Sequence, residues 1–125
     1  MAWDLNSDRP IYTQIFEKMQ IRIVRGIYQP GERLPSVRDL AAEANVNPNT
    51  MQRAFTELER CRLIETQRNS GRSVTTDTHL IDAIRHEIAL AQINNFFSNM
   101  RELGFTDHEI MELIKNKILC QSPAI

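Results

Sequence analysis

Residues 30–74 decide the fold of this chain, and they read PGERLPSVRDLAAEANVNPNTMQRAFTELERCRLIETQRNSGRSV. Ser36 and the acidic residue three positions later form a capping-box-like start for a short helix. Asn45 is suited to end that helix, because asparagine tolerates a left-handed backbone better than most residues. Asn47 then predicts the cap of the next helix, with Pro48 in its first position, where a missing N–H costs nothing. A helix, a tight turn and a second helix in this order predict a helix-turn-helix.

The residues after this second helix predict a two-stranded ribbon. Residues 63–66 and 72–75 have the pattern of short strands, and residues 67–71 read as the turn between them. The helix before the ribbon has an apolar inner face at helical spacing, formed by Met51, Ala54, Phe55, Leu58 and Cys61. A helix-turn-helix followed by such a ribbon is a winged helix-turn-helix.

Helical patterns flank this region on both sides. Apolar residues recur at helical spacing from Ile11 to Ile27, with Asp8 as the predicted helix cap. After the ribbon, a helix is predicted over 79–103, and a Thr-x-x-Glu capping box at 106–109 opens the last helix. The predicted fold class is mainly α with a small β-wing. We expect an N-terminal winged helix-turn-helix domain at 1–76 and a C-terminal two-helix extension at 77–125.

Length and composition limit the class of protein. The chain has 125 residues, of which 42% are hydrophobic, and this suits one small domain or one domain with an appendage. No stretch of about 18 residues is uninterruptedly apolar, and the N-terminus lacks the layout of a signal peptide. Cys61 and Cys120 follow no disulfide or metal-binding pattern, which suits a reducing compartment. We therefore expect a cytoplasmic protein.

The net charge of −1 hides an uneven distribution. Residues 1–75 carry eleven Lys/Arg and nine Asp/Glu, a balance of +2, whereas residues 76–125 carry four and seven, a balance of −3. No acidic residue falls within 44–56 or 66–76, and these two windows contain Arg53, Arg68 and Arg72. Because local charge governs binding in a groove, these windows favour a nucleic-acid partner.

The motifs of residues 10–75 resemble the GntR family of bacterial transcription regulators, and within it the small YtrA-type branch. They are PIY at 10–12, G-x-Y-x-PG-x-RLPS-x-R-x-LA at 26–41 and VNPNT-x-QRA at 46–54. The two-helix extension also fits the YtrA type, whereas larger members carry an effector-binding or aminotransferase-like domain. The chain departs from the family at Cys61-Arg62, where a small or flexible residue is usual, and at a wing tip with fewer glycines.

The helix that opens at Asn47 has the side chains needed to read bases. Asparagine and glutamine can pair with adenine and arginine with guanine, and Gln52 and Arg53 are long enough to reach base edges. The resemblance implies that Arg38 contacts the groove edge and that Arg33 and Ser36 touch the backbone near a helix N-terminus. It also implies that the wing arginines lie at the minor groove. The residues expected to contact DNA are Arg33, Ser36, Arg38, Asn47, Pro48, Asn49, Thr50, Gln52, Arg53, Arg68, Gly71 and Arg72.

Several of these assignments have a purely structural alternative, and Arg72 beside Gly71 can belong to a solvated turn. Asn47 can act only as a helix cap, and Arg53 can be an ordinary solvated residue. Arg38 can pair with Asp39 or Glu43 instead of DNA.

The apolar residues of the two C-terminal helices also have two interpretations. They can fold back as ordinary core, or they can form the symmetric surface through which two chains pair. We favour pairing, because an exposed apolar patch of this size normally finds a partner. The expected dimerisation residues are Ile81, Ile84, Ile88, Phe96, Phe97, Met100, Leu103, Phe105, Ile110 and Ile114.

These observations predict a homodimeric, sequence-specific transcriptional repressor of a pseudo-palindromic operator in double-stranded DNA. Its third helix would enter the major groove and its wing would lie at the minor groove. The resemblance implies control by a small-molecule effector of unspecified identity. The alternative is a protein-interaction adaptor built on a winged-helix scaffold. The sequence has no catalytic grouping or phosphate-binding loop, and its three histidines form no metal-ligand pattern, so we expect neither an enzyme nor a cofactor or metal site.

Overall fold

The computed structural model describes residues 3–68 and 71–121 of the chain. Five helices and one small antiparallel sheet follow one another along it, which confirms the predicted fold class. In chain order they are α1 (Ile11–Val24), α2 (Val37–Ala44), α3 (Pro48–Arg60), β1 (Ile64–Gln67), β2 (Gly71–Val74), α4 (Thr78–Glu102) and α5 (Asp107–Gln121). None of these helices, within the ranges described, is long and apolar enough to cross a membrane.

The hydrophobic core of the N-terminal part forms around α3, which contacts α1, α2 and β1. The predicted inner face of α3 is buried, and Phe55 at its centre is only 1% exposed, whereas Cys61 is half-buried. Helix α1 adds buried side chains at helical spacing, which are Ile15, Met19 and Ile23. Burial of α3 on three sides fixes its orientation and leaves one face in solvent.

The start of α1 corrects the prediction that Asp8 caps it. Pro10 occupies the cap position, with no side-chain hydrogen bond, and the backbone N–H of Asp8 donates to the side chain of Asn6 over 3.0 Å. Gln14 holds this segment in place instead, because its buried amide donates to the carbonyl oxygens of Asn6 and Arg9 over 2.8 Å. The helix also ends earlier than predicted, at Val24, because Gly26 turns the backbone left-handed at φ +85°.

Helices α2 and α3 end in the same hydrogen-bonded motif, in which a residue just past the helix has a left-handed backbone. Asn45 has this role after α2, at φ +58°, as predicted. After α3 the role falls to Arg62, at φ +66°, and the N–H of Leu63 donates to the Leu58 carbonyl over 3.1 Å. Arg62 stands where the family usually has a small or flexible residue. A left-handed backbone at this position explains that preference.

The two strands of the wing pair in antiparallel register, with Ile64 opposite Val74 and Gln67 opposite Gly71. The predicted strands were therefore displaced by one residue each. The segment before α2 also pairs with β2, since Arg33 forms a bridge with Ser73. This pairing attaches the wing to the approach of α2. Residues 69–70 of the predicted turn lie outside the described residues.

The chain divides into two compact units, Met1–Arg85 and His86–Ile125, and the division lies within α4. The N-terminal unit thus includes the first turns of α4, and the functional boundary proposed at 76/77 stays a prediction. In the C-terminal unit, Thr106 and Glu109 form the predicted capping box. The Glu109 N–H donates to the Thr106 hydroxyl over 3.2 Å, and the Thr106 N–H donates to the Glu109 carboxylate over 2.9 Å.

Candidate nucleic-acid interface

The N-termini of α2 and α3 are both capped by side chains, as predicted. The Asp39 N–H donates to the Ser36 hydroxyl over 3.0 Å, and the Asn49 N–H donates to the Asn47 side-chain oxygen over 2.7 Å. Pro48 occupies the first turn of α3. These caps use only acceptor oxygens, so the Ser36 hydroxyl proton and the Asn47 amide protons are still available to donate to a ligand.

The solvent face of α3 carries the polar side chains predicted to read bases. Asn49 and Arg53 are exposed and lie one turn apart, and Thr50 and Gln52 are half-buried. The Gln52 amide lies 3.5 Å from the Thr56 hydroxyl, within the same helix. All of them lie on the first two and a half turns of the helix, which is the part a recognition helix presents to base edges.

Arg53 is held by an aromatic side chain that the sequence interpretation did not select. Its guanidinium carbon lies 3.9 Å from the centroid of the Tyr12 ring in α1. These two residues line a recess of about 410 Å³ together with Ile11, Asn49 and Thr50. Tyr12 belongs to the PIY motif at 10–12, which was the available signal. Arg53 is nevertheless exposed, so its predicted contact with DNA stays a prediction.

Arg38 is exposed on α2 and is without an ion pair in residues 3–68 and 71–121. The alternative pairing with Glu43 is absent because other residues use that carboxylate. The Trp3 indole N–H donates to it over 2.9 Å, and the Arg22 guanidinium lies 3.5 Å away. Asp39 uses its backbone N–H for the helix cap, and within the described residues its carboxylate forms no ion pair with Arg38. Arg38 therefore presents its full charge to solvent.

The remaining predicted residues lie in the wing or beside it, and their side chains differ in exposure. Arg33 is exposed, and its guanidinium lies along the start of β2, about 3.8 Å from where a side chain at Gly71 would begin. Arg68 is exposed and directly follows β1. Gly71 has φ +78°, a conformation that other residues rarely adopt.

The side chain of Arg72 packs against α3. It is only 23% exposed, its guanidinium carbon lies 5.3 Å from the centroid of the Phe55 ring, and its Nε lies 3.4 Å from the Glu59 carboxylate. The Thr66 hydroxyl also donates to Glu59, so one carboxylate joins α3 to both strands. In this conformation the ion pair and the ring hold the Arg72 side chain, and its predicted contact with the minor groove stays a prediction.

Four acidic residues of the N-terminal unit form ion pairs with arginines, whereas the exposed Glu32 and Asp39 lie next to Arg33 and Arg38 in the sequence. The acidic residues Glu17, Glu43, Glu57 and Glu59 are each engaged by an arginine. Four arginines of the predicted interface are free of ion pairs within the described ranges, namely Arg33, Arg38, Arg53 and Arg68. A surface with unpaired positive charge and few acids attracts the phosphate backbone of a nucleic acid. Among the described residues, no group of His, Cys, Asp or Glu is arranged to hold a metal ion.

The predicted dimerisation residues fall into three groups by burial. Ile84 in the N-terminal unit and Ile110 in the C-terminal unit are buried inside the chain, at 8% and 0% exposed, so they serve as core. Phe96 and Leu103 are exposed. The others, which are half-buried, are Ile81, Ile88, Phe97, Met100, Phe105 and Ile114.

The C-terminal unit also exposes large apolar residues that the prediction omitted, namely Leu90, Ile93, Met111, Leu113, Ile118 and Leu119. Between α4 and α5 of this unit lies an open groove of about 360 Å³. Its lining is Phe96, Met100, Leu113, Ile114, Lys117 and Ile118. A single small unit with so much exposed apolar surface is unusual for an isolated monomer.

Comparison with known proteins agrees with this geometry. The family model described as "Bacterial regulatory proteins, gntR family" matches residues 11–74, from the start of α1 to the end of β2. The chain belongs to the GntR family. The match covers the helix-turn-helix and the wing, which are the elements that position the unpaired arginines.

Individual relatives include proteins whose similarity extends beyond this domain. The HTH-type transcriptional regulator YhcF of Bacillus subtilis is 38% identical over 109 residues, which cover 87% of this chain and 90% of that protein. The HTH-type transcriptional repressor YtrA of the same organism is 48% identical over 68 residues, or 54% of this chain and 52% of that protein. A solved GntR-family transcriptional regulator from Listeria monocytogenes is 38% identical, covers 90% of this chain and 98% of its own, and superimposes with a TM-score of 0.84.

These similarities confirm the family and the YtrA-type branch predicted from the motifs. The chain is a GntR-family transcriptional regulator with a winged-helix DNA-binding domain. The likeness to the Listeria protein spans nearly the whole of both chains, so it includes the C-terminal helices as well as the winged helix.

Proposed function

We propose that this GntR-family regulator is a homodimeric repressor, which acts in the cytoplasm on a pseudo-palindromic operator. Helix α3 enters the major groove and the wing lies at the adjacent minor groove. The observation that carries this proposal is the exposed, acid-free N-terminal half of α3, with Arg53 and Arg38 both free of ion pairs. Helix α3 is about 20 Å long, so its first two turns can reach base edges while its buried face stays on α1 and α2.

The exposed side chains divide into those that position the protein and those that select a sequence. Arg33, Arg38 and Ser36 lie near the N-terminus of α2, whose partial positive charge favours phosphate, and we assign them to the DNA backbone. Asn49 and Arg53 lie on the solvent face of α3, and we assign them to base edges. Backbone contacts supply affinity that falls steeply with salt, whereas base contacts supply the preference for one operator.

The pairing of two chains is supported by the apolar surface of the C-terminal unit. Ile118 is 62% exposed and lines the groove between α4 and α5 with Phe96 and Leu113. A twofold dimer through this surface would hold two copies of α3 at a fixed spacing, which a pseudo-palindromic operator matches. Repression is supported by the name of the relative YtrA, and it would follow if the bound dimer covers a promoter. Control by a small molecule stays a prediction.

Selection of bound sequences from a random DNA pool tests the proposal most directly. We expect an enriched pseudo-palindrome with half-sites separated by whole helical turns. Enrichment of a single, asymmetric half-site would contradict the dimer model, and failure to enrich any sequence would contradict specific binding. A reporter gene placed behind the enriched site should lose expression when the protein is present, and a gain in expression would contradict repression.

The role of Arg38 is tested by measuring affinity at several salt concentrations. Arg38→Ala should weaken binding to all DNA sequences alike and should reduce the slope of log affinity against log salt by about one. Arg25→Ala is the matched control, because Arg25 is also exposed and lies at the far end of α1, about 20 Å along the helix from Tyr12. Equal effects of the two variants would remove Arg38 from the interface.

The dimer is tested by sedimentation. Ile118→Glu places a charge in the apolar groove and should give monomers at concentrations where the wild type is dimeric. Ile21→Glu is the control, since Ile21 is 40% exposed in the N-terminal unit and should leave the dimer intact. If Ile118→Glu also remained dimeric, the contact surface would have to lie elsewhere.

A further inference from the structure

Tyr12 lies in the first turn of α1, beside the N-terminal half of α3. Its ring faces the guanidinium of Arg53, with 3.9 Å between the ring centroid and the guanidinium carbon. Both side chains line the same recess as Asn49 and Thr50, and none of the five lining residues is acidic. The stack joins two helices, since Tyr12 belongs to α1 and Arg53 belongs to α3. The two residues are 41 positions apart in the sequence.

The geometry of an arginine stack leaves its hydrogen-bonding capacity free. A ring contacts the flat face of the guanidinium, whereas the five N–H donors lie in the plane and point outward from its edge. The Arg53 guanidinium has no hydrogen bond or ion pair with any residue in 3–68 or 71–121. The stack therefore favours one orientation of a long, flexible side chain without using the donors that would pair with a base.

We propose that Tyr12 is a positioning residue for operator recognition, because its ring holds the guanidinium of Arg53 in the orientation that reads a base. This inference rests on the proposed function, in which Arg53 contacts the operator. It adds a residue of α1, outside the helix-turn-helix, to the set that determines sequence preference. In this arrangement Tyr12 acts through Arg53 and needs no contact of its own with DNA.

A double-mutant cycle on the enriched operator separates this role from the alternatives. The variants are Tyr12→Leu, Arg53→Ala and both together, with affinity measured by fluorescence anisotropy well below their unfolding temperatures. Tyr12→Leu should weaken operator binding about two- to fivefold, which corresponds to the strength of one exposed cation–π contact. Arg53→Ala should weaken it about fivefold or more. The double variant should bind like Arg53→Ala alone, since Tyr12 has no effect once its partner is absent.

Tyr12→Phe is the conservative variant. Phenylalanine keeps the aromatic face and removes only the hydroxyl, so binding should stay within about twofold of the wild type. A loss as large as that of Arg53→Ala would overturn the proposal and assign Tyr12 to a direct hydrogen bond with DNA. Tyr12→Met keeps apolar volume without an aromatic ring, and it replaces Tyr12→Leu in the cycle if the leucine variant does not fold.

Base preference supplies a readout that a merely structural role would not move. Affinities for operators with each single base changed should show that Tyr12→Leu and Arg53→Ala relax selection at the same position. The proposal would be overturned if the losses of affinity in the two single variants added up in the double variant. It would also be overturned if Tyr12→Leu lowered the thermal stability but left the base preference unchanged. If Arg53→Ala itself binds the operator like the wild type, the assignment of Arg53 to DNA fails, and the role of Tyr12 falls with it.

Discussion

Arg62 allows the cost of a left-handed backbone to be measured in this protein. Its φ of +66° closes α3, and the Arg62 N–H donates to the Glu59 carbonyl over 3.0 Å while Leu63 turns inward to become fully buried. A left-handed conformation costs an L-residue roughly 1–2 kcal/mol, whereas glycine adopts it freely. Glycine loses about 0.5–1 kcal/mol more backbone entropy on folding, so Arg62→Gly should stabilise the N-terminal unit by about 1 kcal/mol.

Urea and thermal unfolding at one fixed protein concentration measure this effect, since dimerisation makes apparent stability depend on concentration. For a unit of this size, about 1 kcal/mol corresponds to a rise in Tm of about 5 °C. The matched control is Arg62→Ala, which removes the same charged side chain and keeps the cost of the left-handed backbone. Arg62 is exposed and free of ion pairs in the described ranges, so Arg62→Ala should change stability little. If alanine stabilises as much as glycine, the gain comes from the lost side chain and the backbone argument is refuted.

Three further predictions test the caps and the core. Asn47→Ala should lower the free energy of unfolding by about 1 kcal/mol, because the Asn49 N–H loses its acceptor. Asn47→Asp keeps a side-chain acceptor and should unfold with the free energy of the wild type. Equal losses for the two variants in urea unfolding would contradict capping. Phe55→Ala should cost about 3–5 kcal/mol by leaving a cavity and removing the ring beneath Arg72, and a loss below 1 kcal/mol would contradict its central place in the core. Hydrogen bonds from the Thr106 backbone and side chain lower the pKa of Glu109. The stabilising effect of the ionised carboxylate should therefore be complete above the pKa of Glu109 in the unfolded chain. It should disappear as the pH falls through the pKa of Glu109 in the folded chain. The stability difference between wild type and Glu109→Gln, followed from pH 7 to pH 3, should therefore shrink on acidification, and a constant difference would be inconsistent with this linkage.

Signals that act over a few residues were readable from the sequence. The caps at Ser36 and Asn47 and the capping box at Thr106 all formed as predicted, because each joins a side chain to a backbone group two or three positions away. The inner face of α3 was equally clear, since helical spacing alone places its apolar residues on one side. The errors at the start of α1 came from a competing local contact, in which Asn6 and Gln14 tie the chain before Pro10.

The candidate site could be predicted only in part from the sequence, because its arrangement depends on contacts between residues that are far apart in the chain. The prediction treated Arg53 and Arg72 as equivalent members of acid-free windows. In the structure Arg53 lies over Tyr12 with its donors free, whereas Arg72 lies over Phe55 and pairs with Glu59. The acidic partner of Arg72 sits in neither window, so a count of charges along the chain could not find it.

The sequence by itself determined the order of the elements, the caps of α2, α3 and α5, and which face of α3 is buried. These follow from backbone hydrogen bonding and side-chain periodicity, which depend on near neighbours in the chain. Only the tertiary structure decided which arginines keep a free charge and which are already paired. That choice depends on contacts such as Tyr12 with Arg53 and Trp3 with Glu43, which are 41 and 40 positions apart. Such contacts form only when α1, α2 and α3 pack together, because packing brings distant residues within reach of one another.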